Sequence, residues 1–352
     1  PVDVRRLVFA ILAFTFGSEL IGAVLLSGLW ADKPPAEQAY YSLFHAVSAF
    51  CNAGFDLTGR SFLGLGTRWQ VWGVIAGLVI VGGLGFGTLY NLSHAALTRL
   101  RWGRRAPAKD RPLPFGPKVA SGRPARLTVT TRLVLLTTAL LLAAGTAWHY
   151  VFEAAPGGTA YGLPPEQRLA DAWFQSVIYR TAGFNTVDHA QLRPATKLVA
   201  VVLMFIGAAP VSCGGGVKTA AVAVVALAFA SIMRGRPHAE AFGRAIPDEV
   251  VKRALAVVIL GAATLITVTL ALTAFEDGTD IPPLDLLFES ASACGTVGVS
   301  TGITPRLSPA SQVVLIVAMF LGRVGPLTLL LGLAGQRQVA EYDYPEERVT
   351  LG

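Results

Sequence analysis

The sequence predicts an all-α polytopic membrane protein built from repeated helix–pore loop–helix units, and three observations predict it. Charged residues make up 14% of the chain and hydrophobic ones 53%, whereas a soluble domain carries about 25% charged residues. Stretches without Asp, Glu, Lys or Arg recur at 69–98, 133–152 and 254–275, and 7–30 is interrupted only by Glu19. Each meets the need for about 20 apolar residues to cross a hydrocarbon core about 30 Å thick. The third observation is an internal repeat. Aligned on Gly54, Gly183 and Gly298, the segments FHAVSAFCNAG (44–54), WFQSVIYRTAG (173–183) and FESASACGTVG (288–298) superimpose without gaps. Self-similarity of this kind decides architecture before any local reading does.

Each unit reads as a long apolar helix, a short re-entrant helix, a glycine-containing loop and a second long helix. The expected transmembrane helices lie near 7–30, 69–98, 132–152, 197–233, 250–275 and 307–336, six in all, with three pore helices near 38–50, 167–179 and 284–294. Irregular backbone at membrane depth is tolerated only where it is buried in protein or lines a watery cavity, so three such loops imply a shared cavity. The expected divisions are 1–126, 127–246 and 247–336, one per unit, followed by a tail at 337–352. Gly73, Gly77, Gly82, Gly83, Gly85 and Gly87 in the second long segment suggest close helix packing.

The formal charge of +7 is unevenly placed. Arg99 to Arg132 carries ten Lys or Arg residues against one acid, Asp110, and a second basic segment occupies 234–253. The loop holding Glu276, Asp277, Asp280, Asp285 and Glu289 is acidic. Basic loops on one side of a bilayer mark the cytoplasm, which puts the N-terminus, the two basic loops and the C-terminal tail there. Nucleic acid is not an expected partner, since the basic segment 99–132 has Trp102 as its one aromatic feature of note and no folded recognition motif. Cys51, Cys213 and Cys294 show no metal-ligand spacing, and no cofactor is expected.

A cation entering a membrane must exchange its water shell for other oxygens, which rings of backbone carbonyls supply without a full charge in the pore. Glycine adopts the required backbone angles at low steric cost. Thr296-Val297-Gly298-Val299 is close to the TVGYG filter of potassium channels, with Thr181-Ala182-Gly183-Phe184 and Asn52-Ala53-Gly54-Phe55 as looser versions at aligned positions. The pore helices would turn their negative C-terminal dipole ends toward the cavity, favouring cations. Potassium, or a similar monovalent cation, is the expected cargo.

From 198 to 233 run 36 residues with one charge, Lys218, which as a continuous helix would extend about 54 Å. Gly207, Pro210, Gly214, Gly215 and Gly216 interrupt it. Proline and clustered glycine break helices, so 207–216 is expected to form an intramembrane loop, a candidate gate. Gly216-Val217-Lys218-Thr219 is not a phosphate loop, because Val217 separates glycine from lysine. Arg323, inside the last apolar segment, should face the cavity or a partner. The expected role is a positive charge that binds carbonyls of the loop; snorkelling to the cytoplasmic surface is the rival reading. Glu19 is expected to be a buried carboxyl hydrogen-bonded between helices.

The motifs FHAVSAFCNAGFDLTG (44–59), YRTAGFNTVD (179–188), CGGGVKT (213–219), GTVGVSTGITP (295–305) and GRVGPLTL (322–329) resemble the Trk/Ktr/HKT superfamily of potassium transporters, and most of all its bacterial Ktr-type membrane subunit. The resemblance implies four helix–pore loop–helix units in one polypeptide, of which the second to fourth are here; with the first absent and Pro1 in place of Met, truncation is expected. It implies filter glycines at Gly54, Gly183 and Gly298, a gate at 207–216 faced by Arg323, a homodimer in the cell membrane, and a cytosolic nucleotide-binding regulatory ring. Sodium is implied as a coupling or activating ion. A Trk-type, or less selective sodium-coupled, subunit is the alternative. An intramembrane enzyme is disfavoured by the lack of HExxH and GxSxG motifs, and a receptor-like component that retains the fold without transport is the third reading.

Overall fold

The computed structural model describes residues 4–102 and 126–325. Most of the basic segment 99–132, the C-terminal tail 337–352 and the end of the sixth expected helix, 326–336, lie outside the described residues. Eleven α-helices and one small hairpin make up the described part. α1 (Val4–Leu26) runs through a 3₁₀ turn (Ser27–Trp30) toward α2 (Pro35–Phe50). A π-helical turn (Gln70–Ile75) leads into α3 (Ala76–Gly83) and α4 (Phe86–Trp102). α5 (Val129–Glu153), α6 (Pro165–Ile178), α7 (Pro194–Phe205) and α8 (Thr219–Met233) form the middle unit. After the hairpin β1 (Glu240–Ala241)–β2 (Arg244–Ala245) come α9 (Asp248–Phe275), α10 (Pro283–Gly295) and α11 (Pro309–Val324).

Val8–Trp30, α5 and α9 are each long and apolar enough to cross a membrane. Their outward faces carry what a soluble protein hides: Phe9 is 73% exposed, Leu140 60% and Leu270 65%. Exposed apolar surface on this scale marks an interface, here with lipid. The core instead joins the short helices, with Phe50, Phe62, Phe174, Tyr179, Phe184 and Phe288 all buried in one cluster.

The same punctuation opens α2, α6 and α10. Pro34-Pro35, Pro164-Pro165 and Pro282-Pro283 occupy N-cap and first position, where the missing N–H would lack an intrahelical partner anyway. Glu37, Glu166 and Asp285 follow in the first turn, complementing the positive end of the helix dipole. Pro194 and Pro309 open α7 and α11 in the same way.

Two carboxylates tie unit ends together. Glu153, the last residue of α5, is fully buried and accepts from Thr159 N (2.7 Å), Arg193 N (3.1 Å) and the Thr196 hydroxyl. It thereby binds donors at the free N-terminus of α7, which have no intrahelical partner. Glu276, just past α9, does the same for α11, accepting from Ser308 N at 2.8 Å and Ser311 Oγ at 2.6 Å.

Two expected spans are broken. The segment 69–98 is not one helix: Gln70–Gly83 and Phe86–Ala96 meet at 101°. The cause is Gly85, left-handed at φ +80°, a conformation in which a side chain would be strained, with the Pro210 carbonyl pressed on its Cα. The expected break in 197–233 is present between α7 and α8. Glu19 is 5% exposed, and the Cys51 thiol approaches its Oε1 at 3.9 Å.

Lys197 of α7 and Asp285 of α10 form an ion pair at 2.7 Å, with side chains 9% and 12% exposed, and so bolt the middle unit to the last. Removing one partner of such a pair leaves an uncompensated charge. Asp285→Ala should therefore destabilise the protein by about 3–5 kcal/mol, while an apolar double replacement, Lys197→Met with Asp285→Leu, should recover most of that loss. Denaturant titration in detergent checks both, and a double variant no better than the single would contradict the pairing energetics.

Candidate functional site

The three repeat loops meet. Gly54, Gly183 and Gly298 are all left-handed, at φ +75°, +80° and +92°. A Cβ built on Gly54 would lie 2.7 Å from Gly183 Cα, one on Gly183 would lie 2.8 Å from the Val297 carbonyl oxygen, and one on Gly298 would lie 3.5 Å from Gly183 Cα. Strands from different units, 129 and 115 positions apart by their glycine numbers, are thus in backbone contact, and the first two approaches leave no room for a side chain.

The residues two places earlier are unusual in a second way. Asn52 (φ +52°), Thr181 (φ +76°) and Thr296 (φ +50°) are left-handed without being glycine. Asparagine tolerates that region, but a β-branched residue there is a true outlier, costing on the order of 1–3 kcal/mol. Schellman bonds hold two of them. Asn52 N donates to Ala49 O and Ala53 N to Ser48 O, at 3.1 and 2.8 Å; Thr296 N donates to Ala293 O and Val297 N to Ser292 O, at 3.0 and 2.8 Å. Glycine is the usual residue at that position. In the middle unit Ala182 N donates to Ile178 O at 3.0 Å instead.

Side chains not singled out from the sequence pin the loops from behind. Ser48 Oγ donates to Phe55 O at 2.8 Å, and Ser292 Oγ accepts from Gly298 N at 3.2 Å. Both serines stand six residues before their glycine, a signal the alignment contained. Glu289 accepts from Ser300 Oγ (2.5 Å), Thr301 N (3.0 Å) and Thr304 Oγ1 (3.0 Å), fixing the chain beyond Val299. Phe62 N donates to Asn185 O and Asn185 N to Ser61 Oγ, both at 3.0 Å, locking the first two loops to each other. Of the residues after the glycines, Phe184 and Val299 are buried, whereas Phe55 is 71% exposed.

Residues 206–218 fold back on themselves between α7 and α8. Gly207 N donates to Val217 O at 3.0 Å and Ala208 N to Gly215 O at 3.3 Å. Arg323 Nη1 donates to Cys213 O at 2.7 Å, and Lys218 Nζ to Gly214 O at 2.7 Å. Both cations therefore bind main-chain oxygens of this loop. The loop is also joined to the elbow between α3 and α4: Ala209 N to Gly83 O (3.0 Å), Cys213 N to Gly82 O (3.3 Å) and Phe86 N to Val211 O (3.1 Å). Pro210 lies within that contact. No His, Cys, Asp and Glu among the described residues cluster as a metal-binding group; oxygens of the main chain dominate the site.

Fold and site define a multi-pass helical membrane protein whose internal loops meet at one centre. The family model for TrkH, a cation transport protein, matches residues 3–340. The chain belongs to the TrkH family. It is 33% identical over 353 residues to the potassium/sodium uptake protein NtpJ of Enterococcus hirae, covering 99% of this chain and 72% of that protein. It is 34% identical over 352 residues to the Ktr system potassium uptake protein B of Vibrio alginolyticus, covering 100% of this chain and 71% of the relative. The crystal structure of the potassium transporter TrkH from Vibrio parahaemolyticus matches with a TM-score of 0.67 at 18% identity, over 94% of this chain and 64% of that one; this likeness concerns the fold.

Proposed function

We propose that this chain is the translocating membrane subunit of a potassium uptake system, carrying the ion passively along main-chain oxygens where the three loops meet. The observation that carries the reading is the mutual contact of three left-handed glycines from three units. Each sits at the end of a short helix whose C-terminal dipole favours a cation. Relatives named as potassium uptake proteins match nearly the whole chain.

In this reading residues 52–55, 181–184 and 296–299 line the filter. The flank beside Gly54 is open. Tyr40, Leu43, Phe44, Val47, Cys51 and Phe55 border a cavity of about 320 Å³ there. An apolar wall of this kind suits a fourth unit closing the ring, in keeping with relatives longer than this chain. Sodium as a coupling or activating ion, a homodimer, a cytosolic nucleotide-binding ring and cytoplasmic termini belong to the same proposal. Support for the last is the basic surface between α8 and α9, where Arg234, Arg236, Arg244, Lys252 and Arg253 are exposed.

The loop 207–216 acts as the gate. Its carbonyls are held by Arg323 and Lys218, which place positive charge in the path of a cation and raise a barrier there.

Rubidium uptake by the intact protein in a potassium-uptake-deficient strain tests the function; good membrane expression without uptake would end it. Gly183→Ser puts an atom against the Val297 carbonyl and should reduce discrimination of potassium over sodium by roughly tenfold or more, the loss of about 1.4 kcal/mol. Unchanged selectivity in flux assays would remove Gly183 from the filter. Deleting 208–215 should raise flux, and a fall or no change would refute the gate.

A further inference from the structure

The filter and the intramembrane loop come into close contact at Gly214 and Gly215. A Cβ on Gly214 would collide with Thr181 Oγ1, and one on Gly215 with Thr296 Oγ1. These are the two threonines held left-handed at the start of their strands. Thr296 fills a helix-terminating position that favours glycine, and its hydroxyl is buried without a hydrogen-bond partner. Thr181 Oγ1 has only a long contact from Asn52 Nδ2, at 3.4 Å. Left-handed strain and an unsatisfied hydroxyl are costs to the fold, and what the two hydroxyls meet is the intramembrane loop.

We propose that Thr181 and Thr296 are the seat of the gate: the pore closes when Gly214 and Gly215 settle directly on these two hydroxyls. The inference rests on the transport reading above and adds the contact through which the loop acts. Only glycine permits the approach, because any side chain at 214 or 215 overlaps a threonine oxygen. The closed contact leaves the Thr296 hydroxyl dry and unpaired, a penalty for the closed form. When the loop lifts, that hydroxyl becomes free to meet water or the permeating cation. The seat therefore holds the loop by fit, while Arg323 and Lys218 hold it by charge, and the unpaired hydroxyl keeps the closed state releasable. Thr181 and Thr296 are positioning residues for the loop in addition to any part in lining the filter.

A thiol at the loop itself reports the seat independently of conduction. In the intact protein with Cys51→Ser and Cys294→Ser, Cys213 is the remaining native thiol of the chain's three, and its labelling rate by a small methanethiosulfonate reagent measures how far the loop is lifted. Gly215→Ala and Thr296→Gly should each raise that rate and the rubidium flux by about threefold or more, and the combination should not exceed the larger single effect, as for residues in direct contact. Thr296→Gly should at the same time raise thermal stability by relieving the left-handed strain, whereas Thr296→Ser should leave labelling near the parent. Labelling unchanged by both single variants, or effects that multiply in the pair, would overturn the proposal. Should Gly215→Ala fail to insert, Gly214→Ala with Thr181→Gly runs the same cycle. If no form carries rubidium, the transport reading falls, and Cys213 labelling still decides whether the contact exists.

Discussion

Main-chain polar groups buried away from water must be satisfied by the protein itself, and three short helices whose ends meet in the buried core make this the governing constraint. The chain meets it by bringing the three helix ends together. Once Gly54, Gly183 and Gly298 are in backbone contact, little else at the centre is free to vary. Gly54 and Gly183 have no room for a side chain, Gly298 is left-handed like them, and the supporting serines and Glu289 take up donors and acceptors of the loops.

The outer frame solves a related problem with carboxylates. A short helix that begins after a loop exposes donors, and at the edge of a bilayer water is not reliably at hand. Glu153 and Glu276 supply acceptors at corresponding corners of two units. Each links the end of a long helix, α5 or α9, to the start of the helix that follows the repeat loop, α7 or α11, so the spacing between them is fixed by hydrogen bonds. Packing alone could not do this, since lipid-facing apolar side chains gain little by preferring one another over lipid. The Lys197–Asp285 pair extends the same logic between units.

Much of this was legible in the sequence because it depends on spacing. The glycine register located all three loops, and the observed short helices, α2, α6 and α10, fall within a few residues of 38–50, 167–179 and 284–294. Gly207, Pro210 and the glycines 214–216 marked the break between α7 and α8. The double prolines at the start of α2, α6 and α10, and Ser48 and Ser292 at one offset from their glycines, stand equally plainly in the sequence. What escaped was the elbow at Gly85. A run holding Gly82, Gly83, Gly85 and Gly87 fits tight helix packing and a bend equally well; Gly82 indeed packs, with the Phe50 carbonyl against its Cα, while Gly85 bends. Only the tertiary partner decides between them. Arg323 likewise had two open destinations until the Cys213 carbonyl was found beside it.

The elbow at Gly85 and the loop between α7 and α8 are a single piece of structure. Bending the helix at Gly85 frees carbonyls that a straight helix would bond internally, and two of them, on Gly82 and Gly83, receive Cys213 N and Ala209 N. The exchange runs the other way at Phe86, whose N–H would be unpaired at the start of α4 and donates to Val211 O. Each break therefore supplies the partners the other lacks, and neither could form alone without leaving main-chain polar groups unpaired. A loop stabilised in this way is held by the neighbouring unit as firmly as by its own. Any motion of α4 relative to α3 must consequently pass into residues 209–213, which lie beside the two glycines packed against the Thr181 and Thr296 hydroxyls.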